Sequence, residues 1–126
     1  MTITHLNPDS LHKNPAFSQG VLAEGGRTLY VGEQNGTDAS GRISGDYADQ
    51  TRQALRNVLA VLAEVGADQS NVVKMTIYIA KGQDPNAGYA ASAEVWGYNA
   101  TAVTVLIVEA LGRPEALVGI EVIAVV

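Results

Sequence analysis

The sequence predicts a single α+β domain whose elements follow the order β-β-α-β-α-β-β. Three observations lead to this prediction. The chain has 126 residues, the length of one domain with one core. Hydrophobic residues make up 47% of it and charged residues 17%, a balance typical of a folded protein. Apolar residues recur with a helical period in two segments and form β-rich runs in the others.

The first part of the chain predicts a hairpin after an irregular start. Residues 1–18 contain two prolines and no hydrophobic period, so we expect them to be irregular. Two strand-like runs follow at Gln19–Ala23 and Thr28–Glu33, and the segment between them contains two adjacent glycines. Because a glycine pair suits a tight turn, we expect residues 19–34 to form a β-hairpin.

The clearest helix is predicted over residues 46–65. Its start can be capped by Asp46 or Ser44, and Gly66 stands where helices often end in a left-handed residue. The residues that recur at spacings of three and four, and therefore share one stripe, are Thr51, Leu55, Val58, Leu59, Leu62 and Val65.

A strand and a second helix follow. The run Val72–Ala80 is rich in β-branched residues and is bounded by Gly82. A helix is predicted over Asn86–Trp96, because Pro85 suits its first turn. The residues expected on one face of this helix are Tyr89, Ala93 and Trp96.

The two closing strands predict an oligomer. Val103–Glu109 and Leu117–Val126 are almost uniformly apolar, which is typical of strands covered on both faces. Two helices can cover only one face of an open sheet in a chain of this size. We therefore expect a second copy of the chain to cover the other face.

Composition excludes several functions. The chain has 8 Lys and Arg against 13 Asp and Glu, a net charge of −5, which leaves little basic surface for a nucleic acid. It has no Cys, and its only histidines, His5 and His12, lie in the lead-in without an acidic cluster, so we expect no metal and no cofactor. No secretory signal and no apolar run of about 18 residues is evident, so we expect a cytoplasmic protein without a membrane partner.

The most informative candidate for chemistry is Glu121, which lies between Ile120 and Val122 in an apolar strand. In an internal strand this carboxylate would be poorly solvated, an environment that suits general acid–base work. Two structural alternatives are an outward orientation at a strand edge and a pair with Arg or Lys. Glu109 ends its strand before a turn, where exposure to solvent is expected.

A second candidate is the polar end of the run Thr28–Gly36, which offers backbone amides and the side chains of Glu33, Gln34 and Asn35. An ordinary polar loop at a strand end is the alternative.

The chain resembles the YjgF-type Rid (reactive intermediate deaminase) family over nearly its full length. The runs that carry the resemblance are NPAFSQGV at 14–21, LYVGE at 29–33, the helix 49–66, VVKMTIYI at 72–79 and IEVIAV at 120–125. The resemblance implies a chorismate-mutase-like fold that assembles as a homotrimer, with ligand clefts between subunits.

The resemblance also implies an activity, the hydrolysis of enamines and imines such as 2-aminoacrylate to keto acids and ammonia. In the family a Glu of the final strand positions water, and Glu121 matches it. An Arg of the preceding strand anchors the substrate carboxylate, but Val103 stands at its position. The positions that correspond to the family's substrate site are Phe17, Val31, Gly32, Glu33, Val103 and Val105.

The missing Arg changes the expected ligand. No Lys or Arg lies between Lys81 and Arg113, and both Arg113 and Arg27 belong to predicted turns, although either could reach a cleft from a neighbouring subunit. A carboxylate in an apolar cleft without a cation loses several kcal/mol of solvation. We therefore expect a neutral or cationic small molecule in a cleft beside Val103 and Glu121.

Two hypotheses follow, a Rid-type hydrolase of altered specificity and a non-catalytic binding trimer of the same fold. Ribonuclease activity, sometimes attached to the family, is disfavoured by the acidic charge balance.

Overall fold

The computed structural model describes residues 1–126. From residue 20 onward every predicted helix and strand is present within two residues of its expected ends. The elements are β1 (Thr2–Leu6), β2 (Gly20–Glu24), β3 (Thr28–Gln34), α1 (Tyr47–Ala63), β4 (Val72–Ala80), α2 (Pro85–Trp96), β5 (Ala102–Val108) and β6 (Val118–Val125), with a short 3-10 turn at Gln69–Asn71. Neither helix is both long and apolar enough to cross a membrane.

The strands form two sheets. The main sheet has the order β3-β6-β4-β5, in which β4 and β5 are parallel and the other neighbours are antiparallel. The second sheet contains only β1 and β2, which are antiparallel. A hydrogen bond from the backbone N–H of Ser18 to the carbonyl of Thr101 (2.9 Å) holds the start of β2 beside the start of β5.

Two expectations for the first part of the chain are wrong. Residues 1–18 are not irregular throughout, because they contain β1, and residues 19–34 are not a hairpin, because β2 pairs with β1. The glycines between β2 and β3 have positive φ angles of 72° and 78° and turn the chain from one sheet to the other. Backbone hydrogen bonds between Arg27 and Val126 (2.7 and 2.9 Å) then start β3 along β6.

The structure confirms the predicted capping residues at both ends of α1. The Asp46 side chain accepts a hydrogen bond from the N–H of Asp49 (2.9 Å), and the Asp49 carboxylate accepts one from the N–H of Asp46 (3.2 Å), so Asp46 is the cap. Beyond the other end, Gly66 has a φ of 70°. Leu55, Val58 and Leu62 are at most 1% exposed because this stripe packs on the main sheet.

The helices cover one face of the main sheet, here called the covered face, and leave the other, the open face, without a second layer. On β6 the side chains at 118, 120, 122 and 124 are at most 2% exposed on the covered face. Strand β5 is less covered than the sequence led us to expect, since Val105, Leu106 and Ile107 are 49%, 44% and 59% exposed. A second copy over these residues stays a prediction.

Candidate functional site

Residues of neighbouring strands form alternating rows across the main sheet. Val31, Val122, Met75 and Val103 pair along one row from β3 to β5. Val31, Val122 and Met75 are buried in the core and Val103 packs against it, so this row points to the covered face. The adjacent row pairs Glu121, Thr76 and Thr104. Because successive side chains of a strand alternate, this second row points to the open face.

Glu121 lies on the open face and is held by a tyrosine. The Tyr78 hydroxyl donates a hydrogen bond to Oε1 of Glu121 at 2.8 Å. This bond, together with partial burial and the charges of Glu121 and Glu33, raises the pKa of Tyr78 above its usual value of 10.0. Glu121 is half-buried on an internal strand and is paired with a hydroxyl, so within one chain it has neither an edge position nor a cation partner.

The carboxylate of Glu33 also lies near Tyr78, in space that is open because Gly119 has no side chain. A β-carbon at Gly119 would lie 2.6 Å from the carboxyl carbon of Glu33. The Asn35 side chain donates to Glu33 Oε1 (3.0 Å) and to the carbonyl of Val118 (3.1 Å), which fixes the polar end of β3 against β6. The Tyr78 hydroxyl therefore lies in the field of two carboxylates.

Lys74 supplies the cation of the open face. Its Nζ donates to the Thr104 hydroxyl at 2.6 Å. A groove of about 300 Å³, here called the open groove, is lined by Tyr30, Val31, Gly32, Lys74, Thr76, Glu121, Val122 and Ile123. The structure thus brings two of the predicted site residues, Gly32 and Glu121, together. Val31 also borders this groove, although its side chain is 3% exposed and belongs to the core.

The sequence analysis missed Lys74 and Tyr78, although a signal was available. In the run VVKMTIYIA the polar residues Lys74, Thr76 and Tyr78 alternate with Met75, Ile77 and Ile79. Such an alternation predicts a strand with one apolar and one polar face.

Glu33 lies on the open face near Tyr78, and the other three predicted site residues lie on the covered face, beside a cavity of about 170 Å³ between the sheet and the helices. Phe17, Val103 and Val105 line this helix-side cavity together with Tyr47 and Trp96. The ring of His12 meets that of Phe17 edge-on, with centroids 6.0 Å apart. No Lys, Arg, Asp or Glu lines the cavity.

Within one chain, Val103 and Glu121 do not share a cleft. Their rows are adjacent but point to opposite faces, so the sheet separates the helix-side cavity from the open groove. Neither predicted turn arginine lines either space. Arg113 donates to Glu115 Oε1 (2.9 Å) and to the carbonyl of Gly41.

The other charged or titratable candidates contact residues outside the two cavities. Glu109 is exposed, as expected, and lies 3.6 Å from Lys81 at the surface. His5 shares a hydrogen bond of 3.1 Å with the Ser18 hydroxyl. The chain has no group of three or more His, Asp and Glu side chains that could hold a metal ion.

Comparisons with known proteins agree with this architecture. The profile of the family described as Endoribonuclease L-PSP matches residues 8–126. A human protein named 2-iminobutanoate/2-iminopropanoate deaminase is 42% identical over 72 residues, which is 56% of this chain but only 51% of that protein. A RutC family protein of Pyrococcus horikoshii is 34% identical over 86% of this chain and 85% of its own length.

A comparison with solved structures also agrees with this architecture. The crystal structure of a Rid-family protein of unknown function from Yersinia pestis has a TM-score of 0.89 to this chain, with 30% identity and full coverage of both chains.

Proposed function

Because the chain belongs to the Endoribonuclease L-PSP family, which contains the YjgF/Rid proteins, we propose that it hydrolyses the C=N bond of a small imine or of the imine tautomer of an enamine. The chain matches about half the length of the mammalian relatives that are named imine deaminases. Their activity is therefore transferred here as part of the proposal. Ribonuclease activity is disfavoured by the net charge of −5.

The observation that carries the proposal is the hydrogen bond between Tyr78 and Glu121 in the open groove. Tyr78 engages Oε1 and leaves Oε2 of Glu121 free to accept a proton from a water molecule. That water gives its proton to Glu121 and bonds to the carbon of the protonated imine, which forms a carbinolamine. Glu121 passes the proton to the amine nitrogen, and the C–N bond breaks as the hydroxyl proton is lost to solvent, so that a carbonyl compound and ammonia leave. A positioned general base of this kind contributes roughly 10²–10⁴-fold to a rate.

The site is completed by a second copy of the chain in a homotrimer. Two observations support this step. The site positions are divided between two faces of one sheet, so one copy supplies the open groove and its neighbour the mouth of the helix-side cavity. In addition, the apolar side chains of 105, 106 and 107 on the edge strand β5 are about half exposed in the isolated chain. A cytoplasmic location stays a prediction.

The substrate lacks the carboxylate that the family's Arg would bind. Val103 stands at the Arg position, and no cationic side chain lines the cavity beside it. The cation of the open groove, Lys74, donates to the Thr104 hydroxyl, so a carboxylate buried beside Val103 would have no partner for its charge. A neutral or cationic imine is therefore the preferred substrate.

Ammonia release from imines formed in solution from small aldehydes tests the activity, with 2-aminoacrylate as the carboxylate-bearing comparison. Glu121→Gln should reduce turnover by at least about 100-fold while the melting temperature stays nearly unchanged. Glu109→Gln is the matched control, because that carboxylate is exposed beside Lys81. A fully active Glu121→Gln protein would remove this residue from the reaction.

Mixing variants tests whether the site is shared. Glu121→Gln damages the open groove and Val105→Trp fills the mouth of the cavity, so each variant alone should be inactive. If every site takes one half from each of two copies, refolding an equimolar mixture should restore about one quarter of the activity. No recovery from correctly assembled mixtures would mean that both halves come from one copy.

The alternative is a non-catalytic binding protein of the same fold. It is favoured by one observation, the absence of the anchoring cation beside Val103. Saturable ligand binding without ammonia release from any imine, in an assembled protein, would establish it.

A further inference from the structure

The helix-side cavity has the size of a single aromatic ring. Its volume is about 170 Å³, and 15 of its 22 lining residues are hydrophobic. An apolar protein cavity of about 150 Å³ stays free of water and binds benzene. Five aromatic residues contribute to its wall: Phe17, Tyr47, Tyr89, Trp96 and Tyr98. The cavity can therefore take a ring with a small substituent.

Two residues of the wall that are at most 7% exposed carry a polar group without a partner within the chain, the Tyr47 hydroxyl and the Trp96 indole N–H. Tyr47 is only 7% exposed, and its hydroxyl makes no hydrogen bond to another residue. Three other polar side chains of the wall have partners, since Thr51 donates to the carbonyl of Tyr47 (2.8 Å) and Ser92 to that of Tyr89 (2.8 Å). The side chain of Asn99 donates to the carbonyl of Gln69.

The backbone of α2 makes room for this hydroxyl. A β-carbon at Gly88 would lie 2.1 Å from the Tyr47 hydroxyl oxygen, so only glycine is compatible with the observed position of the ring. Glycine in the middle of a helix costs roughly 0.5–1 kcal/mol relative to alanine. Burial and the nearby charge of Asp84 raise the pKa of Tyr47, so the hydroxyl keeps its proton and acts as a donor at neutral pH.

We propose that the helix-side cavity binds a small neutral aromatic molecule with one hydrogen-bond acceptor, and that the Tyr47 hydroxyl donates to this acceptor. A carboxylate would find no counter-charge, because no Lys or Arg lines the cavity. The inference rests on the proposed function only where it takes the occupant to be the substrate or product, an aromatic imine or the corresponding aldehyde.

Three ligands that differ in one group test this assignment by calorimetry or by NMR titration. Benzaldehyde carries a neutral acceptor, benzene has none, and benzoate is charged. We expect the wild-type protein to bind benzaldehyde and benzene but not benzoate. Tyr47→Phe should weaken benzaldehyde binding by roughly 2- to 13-fold, the equivalent of one neutral hydrogen bond of about 0.5–1.5 kcal/mol. Benzene binding should be unchanged in Tyr47→Phe, so benzene controls for the shape of the cavity.

Absence of benzaldehyde binding, or equal affinity in the wild type and Tyr47→Phe, would overturn the inference. So would binding of benzoate with the affinity of benzaldehyde. These results do not depend on turnover. Ammonia release from aliphatic imines without benzaldehyde binding would leave the proposed function intact and remove this ligand class. Benzaldehyde binding that depends on Tyr47, without ammonia release from any imine, would remove the hydrolase and support the inference.

Discussion

The two faces of the main sheet are built from the same strands but differ in what they can do. On the covered face, side chains of the sheet pack against α1 and α2 and enclose an apolar cavity that no Lys, Arg, Asp or Glu side chain lines. On the open face, Glu121, Tyr78, Lys74 and Glu33 lie within one or two rows of each other, and each of the four takes part in a side-chain hydrogen bond.

The difference shows how one strand serves both packing and chemistry. In β6, Ile120 and Val122 are 1% and 2% exposed, yet Glu121 between them is only half-buried. The strand period of two puts each neighbour on the other face, so the carboxylate does not enter the core. A charged residue in an apolar strand is therefore as compatible with a second, open face of the sheet as with a base buried in the core.

The comparison of the two faces predicts that an Ile→Ala substitution lowers the free energy of unfolding more on the covered face than on the open face. Ile120→Ala should lower the free energy of unfolding by about 2–5 kcal/mol, because it leaves a cavity in the core. Ile123→Ala, on the open face of the same strand, should cost clearly less at low protein concentration. Urea unfolding of both variants measures the difference. A cost for Ile123→Ala that grows with protein concentration would indicate a second copy over the open face, and equal costs at every concentration would contradict the comparison.

A change at Gly88 should have a smaller effect, confined to the covered face. In Gly88→Ala the new β-carbon meets the Tyr47 hydroxyl, and crowding of this kind costs about 1–3 kcal/mol, offset in part by roughly 1 kcal/mol of helix propensity. The penalty should shrink in the Tyr47→Phe background, as a double-mutant cycle would measure. Gly112→Ala is the control, since no atom lies within 4 Å of its β-carbon position. Equal penalties in both backgrounds would show that the hydroxyl is not the cause.

The smallest effect is expected from Tyr78→Phe on the open face, and it should depend on pH. The pKa of Tyr78 is raised in the folded protein, mainly by its hydrogen bond to Glu121. Because the folded protein holds this proton more tightly than the unfolded chain, the proton stabilises the fold. The stabilisation is fully present below pH 10.0, the pKa in the unfolded chain, and is lost as the pH rises through the pKa in the folded protein. The wild type should therefore lose more stability than Tyr78→Phe between pH 8 and pH 11, roughly the range that spans this titration.

Urea unfolding at both pH values measures this loss. Tyr47, whose pKa is also raised, remains in both proteins, so its contribution cancels in the comparison. Tyr98→Phe is the control because that side chain is 88% exposed. The same pH dependence in the wild type and Tyr78→Phe would show that the hydrogen bond does not shift the titration.

Local patterns were sufficient for most elements of this fold. The helical stripe of α1, the Asp46 cap and the strand Val72–Ala80 could be predicted from the sequence because they depend on neighbours within a few residues. The resemblance of the chain to the Rid family also identified the fold and drew attention to Glu121 as a site residue. The period-two pattern around Lys74 was equally local and could have identified the polar face.

Pairing between distant segments was decided only by the tertiary structure. In sequence, β2 and β3 resemble the two strands of a hairpin. In the structure, however, β2 forms its hydrogen bonds with β1. Within one chain, the register of β4 with its two neighbours assigns Val103 and Glu121 to opposite faces, so a cleft that holds both has to be shared between two copies and stays a prediction. The contact of Tyr47 with Gly88 joins two helices that are far apart in the chain. Register and helix packing depend on the summed burial of many residues, so no single motif in the sequence reports them.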